Sequence, residues 1–161
     1  MSGCENEASV NAVRAAGSSV GLGTMNVAAA GSVVDASAAV DYLLAAGAFE
    51  RIAARLATPA ETLHAPHLLD VEVAHALRRL AIGRAISGVR AEEALADLGA
   101  MRVRRYPHTW LLPRIWQLRS NMSAFDAAYV ALAEALDASL VTADGALARA
   151  PGHAAKIELY R

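Results

Sequence analysis

Cysteine and aromatic residues are scarce in this chain. Among its 161 residues, Cys4 is the single cysteine, which excludes an intramolecular disulfide and favours a reducing compartment. Aromatic residues make up only 5% of the sequence, so the core must be built mainly from Ala, Leu and Val. No apolar run approaches the roughly 20 residues that a membrane-spanning helix needs. The N-terminus also lacks a basic segment followed by an apolar one. We therefore expect a cytoplasmic protein without a membrane anchor.

Size and charge point to one domain with an uneven charge distribution. A chain of 161 residues that is 55% hydrophobic can bury a substantial core. The formal net charge of −1 argues against a generally basic nucleic-acid-binding protein. Between Glu72 and Arg119, however, there are nine arginines and four acidic residues. This stretch suits a phosphate-bearing partner, and it equally suits ordinary solvated helix faces.

Strands and helices alternate over most of the chain. Residues 1–31 are rich in Gly, Ala, Ser and Asn without a period, so we expect a flexible extension there, with Met25 as a candidate alternative start. Residues 32–161 predict one α/β domain with a central, mostly parallel sheet flanked by helices. The predicted strands are residues 32–34, 62–65, 103–106, 140–142 and 156–160. The predicted helices are residues 36–44, 48–57, 68–82, 91–101, 112–120 and 123–136.

Four acidic residues interrupt or border strongly apolar runs: Asp35, Glu72, Asp126 and Asp144. Buried carboxylates are costly, and four in one crevice would repel one another unless cations lay among them. In α/β sheets the ligand crevice lies beyond the C-terminal ends of the strands, and Asp35 and Asp144 follow predicted strands. A site for a hard divalent cation is therefore one interpretation, with a metal-dependent reaction on phosphate as the matching function.

Each acid also has a purely structural interpretation. Asp35 suits a helix N-cap, and Asp126 suits a capping box three residues after a serine. Asp144 suits a turn, and Glu72 suits the positive end of its helix. Asp70 lies two residues before Glu72 and so points away from it on a helix, which suits capping or a supporting contact.

Two hydroxyls and two basic side chains accompany the acids. Ser37 and Thr142 each lie two residues from a candidate aspartate, where a hydroxyl can bond to a carboxylate or to metal-bound water. Ordinary chemistry at a helix start explains Ser37 equally well. His75 and Arg79 follow Glu72 by three and seven residues on roughly one helix face. From there they can contact phosphate or simply be solvated.

The segments VVDAS, HLLDVEVAHAL, SAFDAAYVALAEAL and LVTADGAL, in this order, resemble PIN-domain ribonucleases, and most of all the VapC toxins of bacterial toxin–antitoxin pairs. The resemblance runs from about residue 33 to the C-terminus, and DAAYVALAE with the following T-x-D is its most specific part. It assigns four residues to the catalytic, metal-binding set: Asp35, Glu72, Asp126 and Asp144. It places Ser37 and Thr142 at hydroxyl positions beside that set, whereas His75 stands where the family often carries Asn.

The resemblance implies a PIN fold and an endoribonuclease that uses metal-activated water, leaving a 5′-phosphate and a 3′-hydroxyl. The implied cofactor is Mg²⁺, with Mn²⁺ as a substitute. The implied partners are an RNA substrate, a VapB-type antitoxin and a second copy of the chain. We expect the antitoxin to dock on residues 36–57, whose Ala, Leu and Phe49 side chains otherwise belong to the core.

Two other functions fit parts of the sequence. Receiver domains and haloacid dehalogenases also place an Asp after the first strand. A dehalogenase needs a second Asp where Ser37 stands, and the only lysine, Lys156, is poorly placed for a receiver. The non-enzymatic alternative is a catalytically silent PIN-like scaffold that binds RNA or a partner, and it predicts that removing metal leaves function intact.

Overall fold

A computed structural model describes residues 31–58 and 62–161. The predicted N-terminal extension lies outside the described residues, apart from Gly31, which begins the first strand. The described strands are β1 (Gly31–Val34), β2 (Thr62–Pro66), β3 (Val103–Tyr106), β4 (Ser139–Thr142) and β5 (Ile157–Leu159). The described α-helices are α1 (Ala36–Leu44), α2 (Phe49–Leu56), α3 (Leu68–Ile82), α4 (Gly88–Ala100), α5 (Leu112–Gln117) and α6 (Ala124–Leu136). Two short 3₁₀ helices cover Thr109–Leu111 and Leu147–Arg149.

The strands form one parallel sheet in the order β3-β2-β1-β4-β5. Val33 of β1 pairs with His64 on one side and Leu140 on the other. The chain winds outward from β1 in one direction to β2 and β3, and in the other to β4 and β5. The sheet therefore has its switch point between β1 and β4, where α/β sheets form their ligand crevice. Asp35 directly follows β1, and Asp144 lies just beyond β4.

The predicted α/β architecture is confirmed, with small shifts at the ends of elements. The bounds of α1, α3 and β3 agree with the prediction. The helix predicted from residue 91 begins at Gly88, because Ser87 caps it: the Ser87 Oγ accepts a hydrogen bond from the Arg90 backbone N–H at 3.1 Å. Helix α5 ends at Gln117, three residues before the predicted end at residue 120.

Helix α6 is the centre of the core. Its residues from Ala127 to Ala133 are all buried, and the helix contacts β1, β2 and β4. Four of these seven residues are alanines, whose small side chains let the helix lie close to the sheet. The largest of the seven is Tyr129, which is 1% exposed. The well-packed body of α6 thereby fixes the position of its first turn, which carries Asp126.

Asp70, for which the sequence suggested capping or a supporting contact, forms an ion pair with Arg105. The Arg105 guanidinium donates to Asp70 Oδ1 at 2.8 Å through Nη2 and to Oδ2 at 2.8 Å through Nε. Arg105 also donates to the backbone carbonyls of Leu98, at 3.2 Å, and Val103, at 3.1 Å. This side chain therefore ties the start of α3 to the end of α4 and to β3.

Among the described residues, we find no helix long and apolar enough to cross a membrane.

Candidate active site

The innermost acid of the crevice is Asp35, which is 6% exposed. It has the backbone conformation of an N-cap for α1, but its side chain makes no capping hydrogen bond. Its Oδ2 instead accepts hydrogen bonds from Ser37 Oγ at 2.6 Å and from Thr142 Oγ1 at 2.7 Å. Burial raises the pKa of Asp35, while the two hydroxyls act in the opposite direction. The N-cap interpretation is thus right for the backbone and wrong for the carboxylate.

The same two hydroxyls bind the turn after β4. Ser37 Oγ accepts the backbone N–H of Ala143 at 2.9 Å, and Thr142 Oγ1 accepts the backbone N–H of Asp144 at 2.9 Å. Each hydroxyl therefore donates to the Asp35 carboxylate and accepts from the chain that carries Asp144. The predicted pair of hydroxyls beside the acids is present, and it joins the ends of β1 and β4.

Glu72 lies half-buried on α3 and is held by Tyr129, which did not stand out in the sequence. The hydroxyl of Tyr129 donates to Glu72 Oε2 at 2.6 Å. Burial raises the pKa of Glu72, the Tyr129 hydrogen bond lowers it, and the charges of Asp35 and Asp126 raise it further. Burial and the bond to Glu72 also raise the pKa of Tyr129 itself. The signal for Tyr129 was its position three residues after Asp126, on the same face of α6.

Asp126 and Asp144 make the local hydrogen bonds that their structural interpretations predicted, in a helix cap and in a turn. Ser123 Oγ donates to Asp126 Oδ2 at 2.7 Å and accepts the Asp126 backbone N–H at 3.1 Å, so this pair caps α6. Asp144 Oδ1 accepts the backbone N–H of Ala146 at 2.6 Å, which closes a turn. Asp126 nevertheless acts electrostatically on both Asp35 and Glu72.

The predicted metal set can be compared with this geometry. Within residues 31–58 and 62–161, no group of three or more Asp, Glu, His or Cys side chains has the arrangement of a metal site. The chemistry of the donors does fit a hard cation, since carboxylate oxygens are the ligands that Mg²⁺ prefers. Asp35 and Glu72 are acids whose burial and mutual repulsion penalise their ionised forms, which a divalent cation would relieve. In their local hydrogen bonds Asp126 uses Oδ2 and Asp144 uses Oδ1, so each would offer its other carboxylate oxygen to a shared ion.

A cleft of about 810 Å³ opens beside these acids. Four of the predicted site residues line it: Ser37, Glu72, His75 and Arg79. His75 and Arg79 are both exposed to solvent, and contact with phosphate stays a prediction for them. The cleft wall further includes Val71 and Phe125, which are 72% and 60% exposed. Neither residue stood out in the sequence.

Part of the basic stretch serves the fold. Arg105 is engaged by Asp70, as described above, and Arg114 donates to Glu134 at 2.7 Å through Nε and at 2.9 Å through Nη2. The Glu134 pKa is lowered mainly by this pairing with Arg114. These two of the nine arginines are structural, whereas Arg79 lies in the cleft wall.

A parallel α/β sheet with an acidic crevice at its switch point is the arrangement of a PIN domain, and residues 32–153 match the PIN domain family. Ribonuclease VapC1 of Mycobacterium tuberculosis is 48% identical over 130 residues, which cover 80% of this chain and 97% of that protein. VapC ribonuclease Mb0985 of Mycobacterium bovis is 49% identical over 112 residues, covering 70% and 84%. The chain therefore belongs to the VapC family of PIN-domain ribonucleases.

Solved structures agree on the fold. The crystal structure of VapBC2 from Rickettsia felis, bound to a DNA fragment from their promoter, has a TM-score of 0.59 and 14% identity; the match covers 81% of this chain and 99% of that one. PAE2754 from Pyrobaculum aerophilum has a TM-score of 0.55 and 23% identity, covering 73% and 77%. The receiver and dehalogenase interpretations are excluded by the family match.

Proposed function

We propose that this protein is the toxin of a type II toxin–antitoxin system and an endoribonuclease that hydrolyses RNA phosphodiester bonds. The observation that carries the proposal is the buried Asp35 carboxylate, positioned by the Ser37 and Thr142 hydroxyls at the switch point of the sheet. Among the relatives described above, those at 48% and 49% identity are named as ribonucleases. A buried carboxylate that two hydroxyls hold in one orientation is a suitable ligand for a cation.

The positively charged group in this proposal is Mg²⁺, with Mn²⁺ as a substitute. The residues that would hold it are Asp35, Glu72, Asp126 and Asp144. When bound, the cation supplies Lewis acidity that activates water and offsets the charge of the phosphate.

The remaining roles fall to side chains around the acids. Ser37 and Thr142 orient the Asp35 carboxylate, and Tyr129 orients Glu72. His75 and Arg79 line the cleft and can donate hydrogen bonds to phosphate oxygens of the RNA. Proteins mostly read the sequence of RNA through unpaired bases, which side chains can reach, so we expect unpaired RNA as the substrate.

The proposed partners are a VapB-type antitoxin and a second copy of the chain. The relative in the Rickettsia felis structure is described as VapBC2, which supports an antitoxin of this kind. Residues 36–57 are a less apolar docking surface than the sequence suggested, since Leu43 and Ile52 are buried in the core and Phe49 packs on Tyr42 with 5.8 Å between ring centroids. We therefore propose that the antitoxin occupies the cleft, where it would exclude RNA.

Cleavage by matched acid-to-amide variants tests this proposal. Purified wild type is incubated with Mg²⁺ and a single-stranded RNA pool, and new 5′ ends are mapped. Asp35→Asn and Asp126→Asn should abolish cleavage and growth inhibition, whereas Asp97→Asn, at an exposed acid on α4, should retain both. Growth inhibition that persists in Asp35→Asn, together with RNA or partner binding in vitro that a chelator does not change, would instead establish the silent scaffold.

A further inference from the structure

Phe125 is an exposed aromatic residue in the wall of the cleft. It is 60% exposed, it lines the cleft with Glu72 and Ser37, and it immediately precedes Asp126. Solvent-exposed phenylalanine contributes little to folding, because the hydrophobic effect rewards only the area removed from water. The side chain is therefore available for a ligand of the cleft.

Five of the seven other Phe, Trp and Tyr rings lie against another ring or a guanidinium. The guanidinium carbon of Arg119 lies 5.0 Å from the Trp116 ring centroid, and Phe49 packs against Tyr42. Within the described ranges, the Phe125 ring has neither an aromatic neighbour nor a guanidinium over its face. One face of this ring can accept a flat group from outside.

The backbone holds this ring in a defined place. Phe125 lies in the first turn of α6, between the Ser123 cap and the buried stretch that begins at Ala127. A side chain on a capped, well-packed helix is placed more precisely than one on a loop. The backbone of Phe125 is thus held next to that of Asp126.

The composition of the cleft wall indicates the class of ligand. Phe125 and Val71 supply apolar surface, and His75 and Arg79 supply hydrogen-bond donors and positive charge. A nucleotide has the matching pair of groups, a flat base and an anionic phosphate. Aromatic rings stack on any base because each base has a π-face, and single-stranded RNA exposes these faces.

We propose that Phe125 is a specificity-determining residue that stacks on the nucleobase next to the scissile phosphate. This inference rests on the proposed function, because it needs RNA in the cleft. Stacking holds the strand in register with the acids and favours the larger faces of purines over pyrimidines at that one nucleotide. The remaining positions of the RNA are read elsewhere or not at all.

The test compares Phe125→Ala and Phe125→Trp with Val89→Ala, which trims a residue 66% exposed on α4 and outside the cleft. A randomised single-stranded RNA pool is cut with Mg²⁺, and the bases flanking each cut are counted. One oligonucleotide from the wild-type sites is then prepared intact and with an abasic nucleotide on either side of the cut. KM, kcat and anisotropy binding constants are measured for each pair, and circular dichroism melting checks folding.

Phe125→Ala should raise KM by about tenfold, the effect of losing one base–aromatic stack, and should erase the purine preference at one position. The KM of wild type should rise by a similar factor on one of the two abasic RNAs. On that RNA the KM of Phe125→Ala should be no higher than on the intact RNA. Phe125→Trp should keep both the affinity and the preference, as should Val89→Ala.

The inference is overturned if Phe125→Ala cuts with the KM and base preference of wild type. It is also overturned if the abasic RNA raises the KM of Phe125→Ala as much as that of wild type, because the ring and the base then act independently. Loss of antitoxin inhibition with unchanged RNA cleavage would also overturn it, since Phe125 would then contact the antitoxin. RNA binding that depends on Phe125 without any cleavage by wild type would contradict the proposed nuclease and still support stacking.

Discussion

Thr142 Oγ1 donates a 2.7 Å hydrogen bond to Oδ2 of Asp35, which lies 107 residues away in the sequence. The same oxygen accepts the backbone N–H of Asp144 at 2.9 Å. Strands β1 and β4 are adjacent and parallel. This one hydroxyl therefore fixes Asp35 relative to the turn that carries Asp144. Thr142 is therefore a positioning residue for the proposed metal ligands.

Replacing Thr142 by valine tests this role. Valine keeps the shape and burial of threonine but removes the donor to Asp35 and the acceptor of the Asp144 N–H. The free energy of unfolding should fall by about 1–3 kcal/mol, measured by urea denaturation, because buried polar groups lose a partner. RNA cleavage should fall by about tenfold in kcat, less than the roughly hundredfold loss of a group misplaced by 1 Å, because Ser37 still holds Asp35. Thr142→Ser keeps the hydroxyl and should retain most of the stability and most of the cleavage rate. A fully active valine variant would show that Thr142 does not position the metal ligands.

Asp35→Asn should separate stability from metal binding. Burial disfavours the charged carboxylate, so in a chelator at pH 8 the amide variant should be more stable than wild type by about 1–2 kcal/mol. Millimolar Mg²⁺ should raise the melting temperature of wild type and leave that of Asp35→Asn unchanged, since only a cation bound to the native state stabilises it. Asp97→Asn serves as the control and should respond to Mg²⁺ like wild type. If Asp35→Asn is instead less stable than wild type in chelator, the Asp35 carboxylate stabilises the fold.

The order of elements was predictable from local sequence patterns, but the order of strands in the sheet was not. The apolar stripe of α3 and the apolar runs of β1 and β4 mark these elements directly. The 3-2-1-4-5 arrangement depends on contacts between distant segments, such as Val33 with Leu140. Helix α4 began earlier than its periodicity indicated because the Ser87 cap, not an apolar residue, decides where it starts.

The candidate site was only partly visible in the sequence. Asp35 was found because it follows an apolar strand, and Thr142 because it lies two residues before Asp144, whereas the hydrogen bond between Asp35 and Thr142 requires the fold. Tyr129 was missed because an aromatic residue in an apolar helix usually means core packing, and it is in fact buried while its hydroxyl reaches Glu72. Phe125 was missed since exposure cannot be read from a helix start alone.

Tyr129→Phe removes the hydroxyl that reaches Glu72 and keeps the buried ring. Glu72 then loses a 2.6 Å donor in a half-buried position, so the free energy of unfolding should fall by about 1–2 kcal/mol. The Mg²⁺ concentration needed for half-maximal cleavage should rise, because a ligand that is no longer oriented binds metal more weakly. Metal titrations of cleavage measure this shift. Tyr42→Phe, at a partly exposed tyrosine outside the proposed metal set, is the control, and equal metal dependence in the two variants would contradict the role of Tyr129.

Glu158 on β5 offers a pH test that is independent of the site. Its hydrogen bond with Arg55 of α2, 2.6 Å between Nε and Oε2, is the main cause that lowers the Glu158 pKa to about 2. The pKa in the folded state lies below the ordinary value of 4.5, so the pairing stabilises the protein above pH 4.5 and is lost as the pH falls towards 2.

Wild type should therefore lose about 1–3 kcal/mol more than Glu158→Gln between pH 5 and pH 2, as judged by urea denaturation across that range. At pH 7 the glutamine variant should be less stable by a similar amount, and near pH 2 the two proteins should converge. RNA cleavage at pH 7.5 should be unchanged, because Glu158 lies on β5, two strands from β1, and does not line the cleft. Parallel pH dependences for the two proteins would show that the Arg55–Glu158 pair contributes nothing to folding, since a stabilising pair must disappear when its carboxylate is protonated.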